Sequence, residues 1–324
     1  MAAPANAAAA GQTRTRAFRI GFALAVANII TGAAQPVLTR YGAVRLDPLL
    51  FCTGNIVFAT VCTVALLYFR GELAPVFERR RLALMIVMSL VGTGMTGLTL
   101  TYGLNRIGAV AGVLLLQTEP VYSLCLATIF AGERPSKRQL MATAAILVGI
   151  ASVFGAGGAF APLWAAALVF VTPLFWQTSH VMGLRLMPPM TPLQISAARF
   201  VYAGFAMVPA VIILRPETLV QLADPKLMGV ILLTGFFVYF ISALTWYGAI
   251  NRLSLAWTTS LVVPGVPLLS VVFSMIFLGE HATFRELIGI AISVTGVIAL
   301  VLGSDPHRKP PAGEAAEAIH EPLA

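Results

Sequence analysis

The chain has 324 residues, of which 58% are hydrophobic and only 10% are charged, and its net charge is +8. A soluble domain carries about 25% charged residues because it must cover its surface with groups that bind water. This composition excludes a soluble or a disordered chain and predicts an outer surface in contact with lipid. The basic residues stand in short clusters between apolar runs, which is typical of cytoplasmic loops rather than of nucleic-acid binding.

Ten apolar segments are long enough, or nearly so, to cross a bilayer as helices. A helix needs about 20 apolar residues to span the hydrocarbon core, and continuous runs favour helices over the short alternating strands of a porin-like barrel. The predicted spans are residues 20–38, 48–69, 82–104, 107–130, 140–154, 160–184, 193–214, 227–250, 253–278 and 287–302. The fifth and the tenth are short when taken alone.

The first span follows a basic segment that resembles the start of a signal peptide. Residues 20–38 are long enough to span and many more spans follow, so we expect a retained helix. Residues 1–17 and 304–324 lack apolar periodicity, and we expect both to be disordered. With the N-terminus inside, fourteen of the 21 Lys and Arg residues fall on the cytoplasmic side and six outside. This bias predicts a cell-membrane protein with both termini in the cytoplasm.

The two halves of the chain resemble each other, which predicts one repeat at residues 18–155 and a second at 156–303. The matching pairs are Gly132-Glu133 with Gly279-Glu280, Pro120 with Pro267, Tyr102-Gly103 with Tyr247-Gly248, Arg40 with Arg185, and Pro48 with Pro192. Each repeat holds five spans, so the second enters the membrane the other way up. Duplication is also a simple way to build a helical bundle, but two inverted five-helix repeats favour a secondary transporter with a site near the midplane.

The paired Gly-Glu motifs, each after a proline-containing span, resemble the repeats of the EamA-type drug/metabolite transporter superfamily over residues 18–303. The resemblance implies ten helices, cytoplasmic termini, and export or exchange of small metabolites, often amino acids. Family members often carry Arg-Phe near the start of the second helix of a repeat. The second copy has Arg199-Phe200, but the first has Asn55-Ile56, so a role that needs an arginine in both halves is in doubt.

Two charged side chains, Glu119 and Arg199, fall deep inside predicted spans. A charge at mid-membrane is costly and is usually paired or faces a cavity. Counting about 1.5 Å per residue places both at equal depth, roughly 12 Å from the inner face, so an ion pair between them is feasible. Such a pair either locks helices together or binds substrate, with the carboxylate for an amine or a proton and the guanidinium for a carboxylate.

Polar and aromatic residues in or beside the spans complete the candidate substrate site. They are Asn55, Gln117, Tyr122, Trp176, Gln177 and Trp246. Trp and Tyr residues near span ends are more often part of interfacial belts than ligands, whereas Trp176-Gln177 lies deeper and is the stronger candidate. For His180, a hydrogen bond to a neighbouring helix is favoured over a pH-sensitive role.

Pro120, Pro264 and Pro267 are predicted to break corresponding spans, because proline removes an intrahelical hydrogen bond and exposes carbonyl groups. A passive kink is the alternative. For Glu133 and Glu280, solvation in loops is the default, and a gate built on ion pairs with Arg138 or Arg285 is the alternative.

No nucleotide-binding, hydrolase or metal-binding motif occurs, and Cys52, Cys62 and Cys125 lie in apolar runs. We therefore expect no enzyme activity and no cofactor. The leading hypothesis is a secondary transporter that exports amino acids or similar metabolites, with possible proton coupling. The alternatives are an uncoupled facilitator of drugs or hydrophobic solutes and a membrane partner subunit.

Overall fold

The computed structural model describes residues 3–131, 135–154, 162–187, 189–250, 252–253 and 255–303, with only the backbone for 3–15, 255–257, 259–260 and 300–303. Within these residues the chain is helical and has no β-strand. Eight of the described helices are long and apolar enough to cross a membrane. Large apolar side chains such as Phe205 and Phe277 remain exposed on outer faces, which is the surface that lipid requires. The chain is therefore a multi-pass membrane protein.

In the first half, the described helices match the predicted spans closely, and they are named here in chain order. They are α1 (Ala3–Ala43), α2 (Pro48–Arg70), α3 (Leu82–Ser89), α4 (Thr96–Leu104), α5 (Ala109–Leu116), α6 (Glu119–Ala131) and α7 (Lys137–Phe154). Helix α1 begins well before the predicted start at residue 20. Residues 3–17, expected to be disordered, thus belong to a helix, because their many alanines have the highest helix propensity.

The second half follows the same order. Its helices are α8 (Leu163–Leu184), α9 (Pro192–Leu214), α10 (Pro225–Thr234), α11 (Ser242–Ile250), α12 (Leu255–Leu278) and α13 (Phe284–Gly303). The corresponding helices α2 and α9 begin alike, with a capping side chain directly before a proline. Asp47 accepts hydrogen bonds from two backbone N–H groups of α2, and Thr191 accepts one from Gln194.

Each half contains one π-helical stretch inside a continuous span. Leu90–Met95 joins α3 to α4, and Gly235–Ile241 joins α10 to α11. The first stretch contains Gly92, where an added Cβ would lie 1.9 Å from the side-chain oxygen of Ser179 on α8. Only glycine permits so near an approach of two helices.

The fourth predicted span, residues 107–130, is interrupted. Helix α5 ends at Leu116, Gln117 and Thr118 form a turn, and α6 begins at Glu119. Pro120 is the second residue of α6, where a missing N–H leaves no intrahelical bond unmade.

The corresponding span of the second half is continuous. Helix α12 runs through Pro264 and Pro267 without a break, which corrects the prediction that these prolines interrupt it. A membrane helix tolerates prolines because neighbouring groups satisfy the freed carbonyls. The two corresponding spans therefore differ, and only the first contains a turn within the membrane region.

The two halves interlock through paired contacts. Between α4 and α8, the hydroxyl oxygens of Thr99 and Thr172 lie 2.8 Å apart. Between α1 and α11, Asn28 donates to the hydroxyl of Thr245 at 3.1 Å. Helices α7 and α13 approach so closely that a Cβ on Gly149 would lie 2.7 Å from a carbonyl oxygen of α13. Each contact joins one helix from each half, so groups at this interface are positioned by both halves.

Candidate functional site

Glu119 lies at the interrupted span and faces the other half of the chain. It is the first residue of α6, and its Oε1 accepts a hydrogen bond of 2.8 Å from Nε2 of Gln177 on α8. Both residues are partly exposed, so the pair is not sealed inside packed side chains. The Glu119 carboxylate accepts this one hydrogen bond from an amide N–H, so its other acceptor positions remain free.

Two hydrogen-bond donors without partners lie next to this pair in the sequence. Trp176 lies beside Glu119, but its buried Nε1 forms no hydrogen bond of normal distance and angle. Gln117, in the turn before α6, is buried and its Nε2 also has no partner. A buried donor left unpaired costs about 1–3 kcal/mol. Buried donors of this kind are commonly satisfied by a bound water, ion or ligand.

The turn formed by Gln117 and Thr118 is held against α8 by a hydrogen bond, and a ring contact follows it in α6. Thr118 Oγ1 lies 2.8 Å from the carbonyl oxygen of Leu115 and 3.2 Å from that of Phe170, so its hydroxyl proton bridges both. The ring of Tyr122 stands edge-on to Phe170, with ring centroids 5.9 Å apart. These contacts place Tyr122 with the candidate residues around Glu119 and fix the start of α6.

Arg199 does not pair with Glu119. In the part of the chain that the structure describes, no carboxylate lies within 4 Å of its guanidinium, which corrects the ion pair inferred from equal depth. Its Nη2 instead lies near Gly183 of α8, 3.8 Å from the position of an added Cβ. The residue count predicted equal depth, but Glu119 contacts Gln177 and Arg199 lies against Gly183, which are different levels of α8.

His180 lies between these levels on the same helix. It is exposed, and its Nδ1 lies 3.4 Å from Oε1 of Gln177, one turn earlier. The predicted partner on a neighbouring helix is therefore replaced by a neighbour on α8. Arg199 also lies near its ring, so Glu119, Gln177, His180 and Arg199 follow one another along α8 and are called the polar line here.

Asn55 and Trp246 lie away from this line. Asn55, at the position that corresponds to Arg199, is 1% exposed and its Oδ1 has no hydrogen-bond partner. Its backbone carbonyl oxygen lies next to the π-helical stretch, 2.9 Å from the position of a Cβ added to Gly235. Trp246 packs into an apolar cluster between α1, α11 and α12. Asn55 and Arg199 occupy corresponding positions in the two halves. Their side chains differ, but each has one buried polar atom without a hydrogen-bond partner.

A second charged cluster, which the sequence did not reveal, lies at one end of the bundle. Both carboxylate oxygens of Glu280 accept backbone N–H groups at the start of α5, from Ala109 at 2.9 Å and Val110 at 3.1 Å. Arg40 of α1 lies 3.8 Å from the same carboxylate. Its Nη1 also donates at 2.7 Å to the carbonyl oxygens of Leu104 and Asn105.

This cluster corrects the expectation that Glu280 is solvated in a loop. Helix α12 ends at Leu278, and the left-handed φ of 66° at Gly279 turns the chain sharply. The Glu280 N–H then donates to the carbonyl oxygen of Ser274 at 3.3 Å, and its carboxylate points back to the bundle. The Gly-Glu motif in the sequence indicated this turn. The sequence did not indicate that the Glu280 carboxylate would contact the start of α5. Glu133, its counterpart, lies outside the described residues.

Among the described residues, no group of three His, Cys, Asp or Glu side chains is arranged to hold a metal ion. The polar line instead lies between helices of the two halves, next to a turn inside a span. Such a site in a multi-pass helical protein is typical of membrane transporters.

Comparison with known proteins gives the family. The model of the EamA-like transporter family matches residues 19–155 and again residues 163–302. The chain therefore belongs to the EamA-like transporter family, with one copy of the repeat in each half.

Named relatives are transporters as well. The chain is 28% identical over 243 residues to a probable terminal-alkyne amino-acid exporter of Streptantibioticus cattleyicolor, which covers 74% of this chain and 80% of the relative. It is 21% identical over 259 residues to an uncharacterized transporter of Archaeoglobus fulgidus, covering 80% and 88%. It is 22% identical over 299 residues to the uncharacterized transporter YetK of Bacillus subtilis, covering 91% and 89%.

A solved crystal structure shares the fold, with a TM-score of 0.63 and 16% sequence identity over 89% of this chain and 97% of that one. This likeness supports the arrangement of helices alone. The family and the relatives are transporters rather than enzymes.

Proposed function

We propose that this protein is a secondary transporter that exports amino acids or similar small metabolites. The observation that carries the proposal is the interrupted span, where Glu119 accepts a hydrogen bond from Gln177 of the other half. An intramembrane carboxylate with free acceptor positions suits a substrate ammonium or a transported proton. The relative named as a probable amino-acid exporter supports the same substrate class.

The binding site of this proposal contains two groups of residues. Glu119, Gln117, Tyr122, Trp176 and Gln177 surround the turn between α5 and α6, where unpaired donors stand beside a carboxylate. Arg199, Asn55 and Trp246 are proposed to contact the substrate from α9, α2 and α11. Trp246 has the weakest support, because it packs among apolar side chains.

We further propose ten spans in two inverted repeats, at residues 18–155 and 156–303, with both termini in the cytoplasm. The corresponding order of helices and the π-helical stretch in each half support the repeat. Five spans in each copy support the inversion, and the excess of basic residues on one side supports the orientation. Reporter fusions are expected to place residues 71–81 inside and residues 216–226 outside. A C-terminal reporter on the outer side contradicts an even number of spans.

Transport by purified protein in liposomes tests the function. Vesicles are loaded with single labelled amino acids, and efflux is measured with and without a pH gradient. We expect efflux of at least one amino acid that Glu119→Gln reduces at least tenfold, while Glu217→Gln, in the exposed 3₁₀ helix Pro216–Ala223, retains the wild-type rate. Stimulation by the gradient indicates proton coupling. Efflux of hydrophobic drugs without any amino-acid efflux contradicts the proposal and favours the uncoupled facilitator.

A further inference from the structure

Arg199 carries a guanidinium inside the membrane region that has no anionic partner among the described residues. Its Nε is buried and has no hydrogen-bond partner, and the described part of the chain brings no carboxylate within ion-pair distance of it. A charged group in a membrane span pairs with another group or faces a water-filled cavity. An arginine with no protein anion is prepared for an anion from outside the protein, since its fork matches a carboxylate.

The surroundings of Arg199 supply hydrogen-bonding groups but no negative carboxylate. Tyr247 of α11 lies near the guanidinium, and its hydroxyl oxygen is 3.3 Å from that of Ser196. His180 of α8 also lies near the guanidinium and is exposed. On α8, Gly183 packs against Arg199, and a Cβ added there would lie in ordinary van der Waals contact with Nη2 at 3.8 Å.

The guanidinium and the Glu119 carboxylate lie at different levels of α8. Glu119 is bonded to Gln177, and Arg199 lies against Gly183. Six residues of helix separate these two reference points, which is about 9 Å along the axis. His180 stands halfway, within 3.4 Å of Gln177. The anionic and the cationic ends of the site are thus separated by more than one turn.

We propose that Arg199 binds the carboxylate of an elongated zwitterion whose ammonium group reaches Glu119. This inference rests on the proposed function and deepens it, because it selects among amino compounds by length. An α-amino acid holds its nitrogen and its carboxylate carbon about 2.5 Å apart, and each further methylene of an extended chain adds about 1.3 Å. A chain with five methylenes therefore separates the charges by about 7.5 Å and matches the two levels, whereas glycine contacts one level at a time. An amine at the end of a lysine side chain has the same reach.

Ligand-induced thermal stabilisation of the purified full-length protein tests this length selection, because a ligand that binds the folded state raises the midpoint of unfolding. The probes are glycine, 4-aminobutanoate, 6-aminohexanoate and 8-aminooctanoate, with hexanoate and hexylamine as probes that carry one charge each. We expect an apparent Kd for 6-aminohexanoate at least tenfold lower than for glycine, hexanoate or hexylamine. We also expect 4-aminobutanoate and 8-aminooctanoate to bind less tightly.

Variants of Arg199 and Glu119 test which residue binds the carboxylate of the ligand and which binds its ammonium group. Arg199→Gln is expected to bind 6-aminohexanoate no better than hexylamine, and Glu119→Gln no better than hexanoate. Arg199→Lys keeps the positive charge and is expected to retain a preference for the carboxylate, so it replaces Arg199→Gln if that variant does not fold. Glu217→Gln, outside the site, is expected to retain the wild-type order of affinities.

The same ligands in the liposome assay separate failure of this inference from failure of the proposed function. In the two-level site, Glu119 and Arg199 bind opposite ends of one ligand. If amino acids are transported but affinity does not depend on chain length, this site is overturned and the proposed exporter function stands. The same conclusion follows if Arg199→Gln keeps the preference for 6-aminohexanoate. If no amino acid or amino compound is bound or transported, the proposed function fails and this inference fails with it.

Discussion

The protein holds two sets of charged side chains in contrasting ways. At one end of the bundle, Glu280 accepts two backbone N–H groups of α5, and Arg40 donates to two carbonyl oxygens of the α4 end. In the interior, Glu119 accepts a single amide hydrogen bond and Arg199 has an unpaired buried Nε. The first pair of charges is satisfied by the protein, and the second is not.

This difference separates a structural role from a binding role. A charge whose hydrogen bonds are all made by its own chain stabilises the arrangement of helices and has little left for a ligand. A charge that lacks partners is costly in the empty protein, and a ligand that supplies the partner recovers that free energy. The predictions below therefore expect a loss of stability at the first cluster and a loss of transport at the second.

The largest effect is expected from Glu280→Ala. The change leaves two N–H groups at the start of α5 without an acceptor and Arg40 without its carboxylate. Charge-assisted hydrogen bonds and the interaction with the helix terminus together predict a loss of about 2–4 kcal/mol in the free energy of unfolding. Denaturation of the purified protein in detergent measures this loss.

The matched control is Glu217→Ala. Glu217 and Arg215 form an exposed ion pair at 3.9 Å, with side chains 64% and 51% exposed, and exposed pairs contribute little. We expect an unchanged midpoint of unfolding. Equal losses at Glu280 and Glu217 contradict the structural role of the first cluster.

Next in size is the effect of Glu119→Gln on transport. The variant keeps the shape of the side chain and still accepts a hydrogen bond from Gln177, so the folded state should retain its stability. It removes the negative charge that the proposed site offers to an ammonium or a proton. We expect efflux at least tenfold slower, with the protein present in the membrane at the wild-type amount. If Glu119→Gln instead loses as much stability as Glu280→Ala while transport per folded molecule is unchanged, Glu119 has a structural role and not a binding role.

The span positions were predictable because they depend on local properties. Apolar length and the residues at helix starts, such as Asp47-Pro48 and Thr191-Pro192, are written in consecutive sequence. The turn before Glu119 was also anticipated from Pro120. The continuity of α12 through Pro264 and Pro267 was not, because tolerance of a proline depends on which neighbours satisfy the freed carbonyls.

The pairing of side chains was predictable only in part. Gln177 and Glu119 were both chosen as candidates, but their hydrogen bond was not foreseen. The inferred Glu119–Arg199 pair used depth alone, and a contact also requires the rotation of each helix and its neighbours. The same reason hid the Arg40–Glu280 contact, because nothing in the sequence states that the end of α12 lies beside the start of α5.

A smaller effect is expected from Arg40→Lys. Lysine keeps the positive charge near Glu280, but its single ammonium does not reproduce the planar fork that contacts carbonyl and carboxylate groups together. We expect a loss of about 1 kcal/mol in the free energy of unfolding, the size of one ordinary hydrogen bond. A loss as large as that of Glu280→Ala contradicts the view that the α5 N–H groups are the main partners of the carboxylate.

The smallest effect is expected for the coupling between Glu119 and Arg199. Residues without contact or shared partners usually contribute additively to stability, within about 0.5 kcal/mol. Because Glu119 is bonded to Gln177 and Arg199 lies against Gly183, the double variant Glu119→Gln/Arg199→Gln should lose the sum of the two single losses. The cycle of Arg40→Gln and Glu280→Gln is the positive control, since those side chains lie 3.8 Å apart and should couple by more than the additive limit. If Glu119 and Arg199 couple as strongly as this control, the two charges meet in the bilayer, and the two-level site gives way to a buried ion pair that locks α6 to α9.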